Sequence, residues 1–164
     1  MAALEAGVAA PAFTLKDLSG HAHSLEELHK DGLFLAIFYK VGCGTCRFSA
    51  PYFEKFYQAY KGRPGIQVWG ISQDTAPDTT AFLNQYHATL PQLLDETHWT
   101  SEDYGLANVP SLFLIDKAGR IMQSCVGFSR SDFNAMSQTI AEHVGAPVAV
   151  ISDPGDGAPD LKPG

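Results

Sequence analysis

Hydrophobic and polar positions alternate from Phe13 to Leu25, FTLKDLSGHAHSL, around the turn LSGH, which predicts a small hairpin. SLEEL follows, with Ser24 placed to cap a single helical turn. LFLAIFYKV (33 to 41) is apolar for almost its whole length, the pattern of a strand buried on both faces in the middle of a sheet, and it stops at Gly42. From Thr45 to Tyr60 the pattern changes. Phe48, Tyr52, Phe53, Phe56, Tyr57 and Tyr60 recur at spacings of three and four, which is helical, and Pro51 is expected to kink that helix. The turn KGRPG leads to IQVWGIS (66 to 72), a second buried strand, and TTAFLNQYH (79 to 87) to a second helix before LPQLLDE. SLFLIDKAGRIMQSCVGF reads as two strands joined at KAGR, and SRSDFNAMSQTIAEHV as a closing helix capped by Ser129 or Ser131.

Strand, helix, strand, helix implies parallel neighbours, so the fold class is α/β: a mixed sheet covered by helices, with an antiparallel edge. A chain of 164 residues that is 45% hydrophobic supports one core, and one domain is expected over 1–147. The remainder, 148–164, contains SDPGDGAPDLKPG and is expected to be a flexible Pro/Gly-rich tail. A net charge of -7, with no cluster of Lys and Arg, disfavours nucleic acid and anionic membrane surfaces as partners. No segment reaches the length of a membrane span, and MAALEAGVAAPAF lacks the basic head and apolar run of a signal peptide. A cytoplasmic location is the expectation, or export if a signal has been removed.

Three cysteines are too few for a disulfide-stapled scaffold, and an odd number leaves at least one thiol free. Two of them stand in VGCGTCRFSAP (41 to 51), between the end of a buried strand and the start of a helix. There the first-turn amides and the positive end of the helix dipole point toward Cys43 and favour negative charge on its sulfur. Cys46, one turn on, lies on the same face, near enough to attack a mixed disulfide formed at Cys43. That is dithiol oxidoreductase chemistry, and it needs no cofactor. Zinc would need four soft ligands, whereas Cys125 is alone in a strand and no second C-x-x-C or H-x-x-x-H occurs.

The order of these motifs resembles the thioredoxin-like proteins of the TlpA/redoxin (AhpC/TSA-related) type over nearly the whole chain. VAAPAFTLKDLSGHAHSLEEL looks like their N-terminal hairpin and helix, VGCGTCRFSAP their active site, LPQLLDE their extra segment and NVPSLFLIDKAGRI their substrate loop. The resemblance implies a thioredoxin fold with an N-terminal β-hairpin extension. It makes Cys43 the nucleophile and Cys46 the resolving thiol of a redox-active disulfide, and it makes Val109-Pro110 a substrate-binding pair with a cis peptide bond. Disulfide- or dithiol-containing proteins, a thiol electron donor, an antioxidant setting and a monomer are implied with it.

The chain departs from the family pattern at Gly42, where a tryptophan is usual, and at Thr45, where a proline is common. A carboxylate beneath the resolving cysteine is replaced by Ile37, and Ser49 stands where some members have Glu. Glu54 and Lys40 are proton acceptors only in a loose sense and read more simply as surface charges. Two rival functions are a peroxiredoxin-like peroxidase and a binding module without turnover. The peroxidatic pattern P-x-x-x-T-x-x-C fits neither cysteine: Tyr39 and Cys43 fall at its positions for Cys46, and Ala36 and Lys40 for Cys43. A pure binder would not need both cysteines. Cys125 reads as a small buried hydrophobe, Trp69 and Trp99 as core and rim aromatics, and the six histidines as scattered and without partners.

Overall fold

The N-terminal hairpin is β1 (Thr14–Asp17) and β2 (Ala22–Ser24), paired antiparallel, and it runs directly into α1 (Leu25–His29). Ser24 caps that helix by accepting the amide hydrogen of Glu27 at 3.1 Å. In the computed structural model, which describes residues 3–164, this unit sits at one edge of the sheet; Met1 and Ala2, the first residues of the expected domain 1–147, lie outside the described residues.

Next come β3 (Leu33–Tyr39), α2 (Gly44–Tyr60), β4 (Ile66–Ser72), α3 (Ala76–Tyr86), β5 (Gln92–Leu94) and α4 (Trp99–Asp103). The hairpin of β6 (Ser111–Ile115) and β7 (Ile121–Val126) leads through β8 (Phe128–Ser129) to α5 (Arg130–Val144), and β9 (Leu161–Lys162) closes the order. Seven strands form one mixed sheet in the order β2-β1-β5-β4-β3-β6-β7. β3 is parallel to β4 and antiparallel to β6, and β5 is parallel to β4 but antiparallel to β1. The sheet and its helices are those of the thioredoxin fold.

All seven side chains of β3 are buried, as a central strand covered on both faces requires. Alternate residues go to opposite sides. Tyr39 stacks on Phe53 of α2 and Phe82 of α3, while Phe34 and Phe38 meet Phe13, Tyr104 and Phe113 on the other face. Burial of each such side chain contributes about 1.5–3 kcal/mol. α5 lies beside α2, with Phe133 against Phe53 and Phe56 and the Tyr60 and Ser137 hydroxyls 2.6 Å apart.

The differences from the sequence reading have local causes. α3 starts at Ala76, three residues earlier than the apolar spacing indicates, because the Thr75 hydroxyl caps it and Pro77 occupies its first turn. β5 and α4, of three and five residues, are too short for periodicity to reveal. α2 runs through Pro51 as one helix. Residues 148–164, expected as a flexible tail, are packed: Ile151 and Ser152 are fully buried, and β9 pairs with β8. Composition missed this because the partners are remote. Asn134 of α5 accepts from the amides of Ile151 and Ser152, and Arg130 donates to Ser152, Asp156, Asp160 and the carbonyl of Ala158.

Candidate active site

Because β3 and β6 are antiparallel with Phe38 opposite Ser111, the residues that follow β3 and those that precede β6 meet at one end of the sheet. Cys43 and the Val109-Pro110 pair are brought together in this way. The Cys43 thiol donates to the carbonyl oxygen of Val109 at 3.3 Å, the Val109-Pro110 peptide bond is cis, and the Pro110 carbonyl accepts from the amide of Gly127 at 2.7 Å.

Cys43 caps α2. Its backbone is extended, with φ -86 and ψ 124, and its sulfur accepts the amide hydrogen of Cys46 at 3.2 Å, one of the orphan donors of a helix start. Cys43 is half-buried, whereas Cys46 is fully buried. Burial pushes the Cys46 thiol far above the usual range, and the neighbouring Cys43 adds to the effect. The pair is therefore asymmetric: one sulfur faces the cleft and the other is held protonated behind it.

The loop carrying Cys43 is fixed from β4. The amide of Val41 donates to the Asp74 carboxylate at 2.8 Å, and the amide of Gln73 to the Tyr39 carbonyl at 3.0 Å. Asp95, buried, accepts from the amides of Thr100 and Ser101 and from the Ser101 hydroxyl, which itself accepts from the Gln73 side chain. These contacts shape a cavity of about 510 Å³ lined by Cys43, Lys40, Gln73, His98, Asn108 and Val109 among others.

No acidic side chain takes the place of Ile37, which is wholly buried among apolar groups. The Ser49 hydroxyl is buried and, among the described residues, has no hydrogen-bond partner. Glu54 is engaged elsewhere. Burial is the largest influence on its carboxyl and raises its pKa, but hydrogen bonds from Thr89, Gln58 and Leu90 together hold it below the usual range. Lys40 is exposed at the cavity. Cys125 lies opposite Leu112 in the sheet, and burial pushes its thiol up to about 12.

Of the histidines, His23 does have a partner. Its Nε2 lies 2.8 Å from Asp17 Oδ2, a contact across the hairpin that lowers the Asp17 pKa. Trp69 is half-buried and donates to Gln67, while Trp99 is 72% exposed at the start of α4. Among the described residues there is no group of three or more His, Cys, Asp or Glu that could hold a metal ion.

Sequence reasoning missed residues 161–164 at this site. The Thr45 hydroxyl donates to the carbonyl of Pro163 at 2.6 Å, and Gly164 lines the cavity with Cys43. The one available signal was VAVIS at 148–152, an apolar island ahead of a run whose aspartates match a buried arginine.

Comparison with known proteins finds similar thiol-disulfide oxidoreductases. The chain is 31% identical over 125 residues to the thiol-disulfide oxidoreductase ResA of Bacillus thuringiensis, covering 76% of this chain and 71% of that one. A crystal structure described as a thiol:disulfide interchange protein DsbE from Chlorobium tepidum superposes with a TM-score of 0.75 at 31% identity, covering 87% of this chain and 99% of that one. The thioredoxin domain of a thiol-disulfide oxidoreductase from Bacteroides vulgatus superposes with a TM-score of 0.72 at 28% identity, over 84% and 98%. The AhpC/TSA family model matches residues 6–124, from the lead before the N-terminal hairpin through the cysteine turn into β7, and the chain belongs to that family.

Proposed function

We propose that this protein is a thiol-disulfide oxidoreductase in which Cys43 attacks and Cys46 resolves. The observation that carries the reading is the asymmetry of the pair: Cys43 half-buried at the helix start, and Cys46 buried one turn behind with its amide on the Cys43 sulfur. The Cys43 thiolate attacks one sulfur of a substrate disulfide. A Cys43-substrate disulfide forms, and the other half of the substrate leaves as a thiolate that takes up a proton. Cys46 then loses its proton and attacks the Cys43 sulfur, so that a Cys43-Cys46 disulfide forms and the second half leaves as a thiol.

Two protein thiols are oxidised, one substrate disulfide is reduced, and two electrons and two protons pass to the substrate. A separate dithiol donor restores the pair by the same steps in reverse. The Cys43 S–H donates to the Val109 carbonyl only while Cys43 is protonated, so that contact is released when the thiolate forms, and the Gly127 amide on the Pro110 carbonyl keeps the turn in place beside the cleft. A single chain supplies every group these steps use, and a cytoplasmic thiol pool would keep the pair reduced.

The test is a single turnover. Reduced protein, freed of reductant, is mixed with glutathione disulfide and the released thiol is counted. Two glutathione molecules released per chain, with loss of both the Cys43 and Cys46 thiols, is the expected result. Release that survives Cys43→Ser, or consumption of hydrogen peroxide in preference to the disulfide, would overturn the reading.

A further inference from the structure

A polypeptide substrate that reached Cys43 by adding to the sheet would need three surfaces around it: the start of α2, the backbone at Val109, and the turn at Gly127. Residues 161–164 touch all three. The Thr45 hydroxyl donates to Pro163. A Cβ placed on Gly164 would come within 2.6 Å of the Val109 carbonyl oxygen, and one placed on Gly127 within 2.6 Å of the Lys162 carbonyl and 2.9 Å of the Gly164 nitrogen. Only backbone fits at either place, so the segment lies directly against Val109 and Gly127.

The seat is secured behind the site. Leu161 and Lys162 pair as a strand with Ser129 and Phe128, and Lys162 Nζ lies over the Phe48 ring at 5.5 Å. The buried Arg130 ties the segment just before it through Asp156, the carbonyl of Ala158 and Asp160. The Arg130 amide also donates to the Asp160 carbonyl at 3.0 Å. The open approach that remains is the cavity of about 510 Å³ lined by Lys40, Gln73, His98 and Asn108, within the size range of small-molecule sites.

We infer that Leu161–Gly164 set the specificity of this site: they close the groove to extended polypeptide and leave Cys43 to low-molecular-weight disulfides that enter through the cavity. The inference rests on the oxidoreductase reading above and names its substrate class. The exchange is the one already written, with the small disulfide reduced to two thiols and the Cys43-Cys46 pair oxidised.

The experiment compares rates of oxidation of the reduced protein by glutathione disulfide and by insulin, in the full chain and in two variants. One variant lacks residues 161–164. The other keeps the length but carries Leu161→Gly with Lys162→Gly, and circular dichroism checks that each is folded. The ratio of the insulin rate to the glutathione-disulfide rate is expected to rise at least fivefold in a folded variant. A smaller rise, or a fall, overturns the specificity role. Absence of any reaction of the full chain with either disulfide would instead overturn the oxidoreductase reading, and this inference with it, whereas reaction with insulin alone would overturn this inference and leave that reading standing.

Discussion

The amide of Cys46 donates to the sulfur of Cys43 at 3.2 Å, while the Cys46 thiol itself is fully buried. One residue thus supplies a backbone donor to the attacking sulfur and keeps its own sulfur out of solvent, which separates the roles of two thiols three positions apart.

Selective alkylation follows from that separation. In the folded, reduced protein, limiting iodoacetamide is expected to label Cys43 first, since Cys46 is 0% and Cys125 5% exposed. Peptide mapping reads the result, and labelling of Cys46 ahead of Cys43 would reverse the assignment.

Stability should fall on the alkaline side. Burial pushes Cys125 up to about 12, whereas an unfolded thiol ionises near about 8.5. The folded chain holds this proton more tightly, so the contribution is complete below about pH 8.5 and is lost as pH rises toward about 12. Cys46 is shifted in the same direction. Urea unfolding of the reduced protein between about pH 9 and 11 should become shallower in its pH dependence in Cys125→Ala, by about 1.4 kcal/mol per pH unit. An unchanged slope would contradict the burial argument.

Arg130 should be the residue that holds 148–164 in place. Arg130→Met removes donors to Asp156, Asp160, Ser152 and Ala158, but leaves behind carboxylates that water reaches, so the cost is expected to be about 1–3 kcal/mol. Hydrogen exchange should show the amides of Ile151 and Ser152 losing protection before those of β3. Retained protection would place the anchor elsewhere.

The parts of the molecule that were legible in sequence are those whose signal is local. The buried run of β3, the spacing of aromatic residues along α2 and the C-x-x-C at their junction each lie within one short window. The pairing of Asp17 with His23 was missed because it depends on hairpin register. The packing of the last residues was missed because it depends on Arg130 and Asn134, both on another element. A Pro, Gly and Asp-rich stretch reads as mobile when nothing nearby can bind it, and here the binder is an arginine 26 residues away from Asp156.

Ser49 offers a test of whether α2 hides a proton acceptor. Its hydroxyl is buried and, among the described residues, unpartnered, so Ser49→Ala is expected to be neutral or to stabilise by about 1 kcal/mol in thermal unfolding. The rate of glutathione release in a single turnover should stay within twofold. A tenfold loss of that rate in a folded variant would show that the hydroxyl serves Cys46.

The most direct test of the central claim is to stop the reaction halfway. Cys46→Ser, reduced and mixed with glutathione disulfide, should accumulate one glutathione in disulfide linkage at Cys43, because the thiol that would release it is gone. Intact mass and peptide mapping locate it. An adduct on Cys43 in Cys46→Ser, with no stable adduct on Cys46 in Cys43→Ser, is the predicted result; an adduct on Cys46 in Cys43→Ser and none on Cys43 in Cys46→Ser would contradict it.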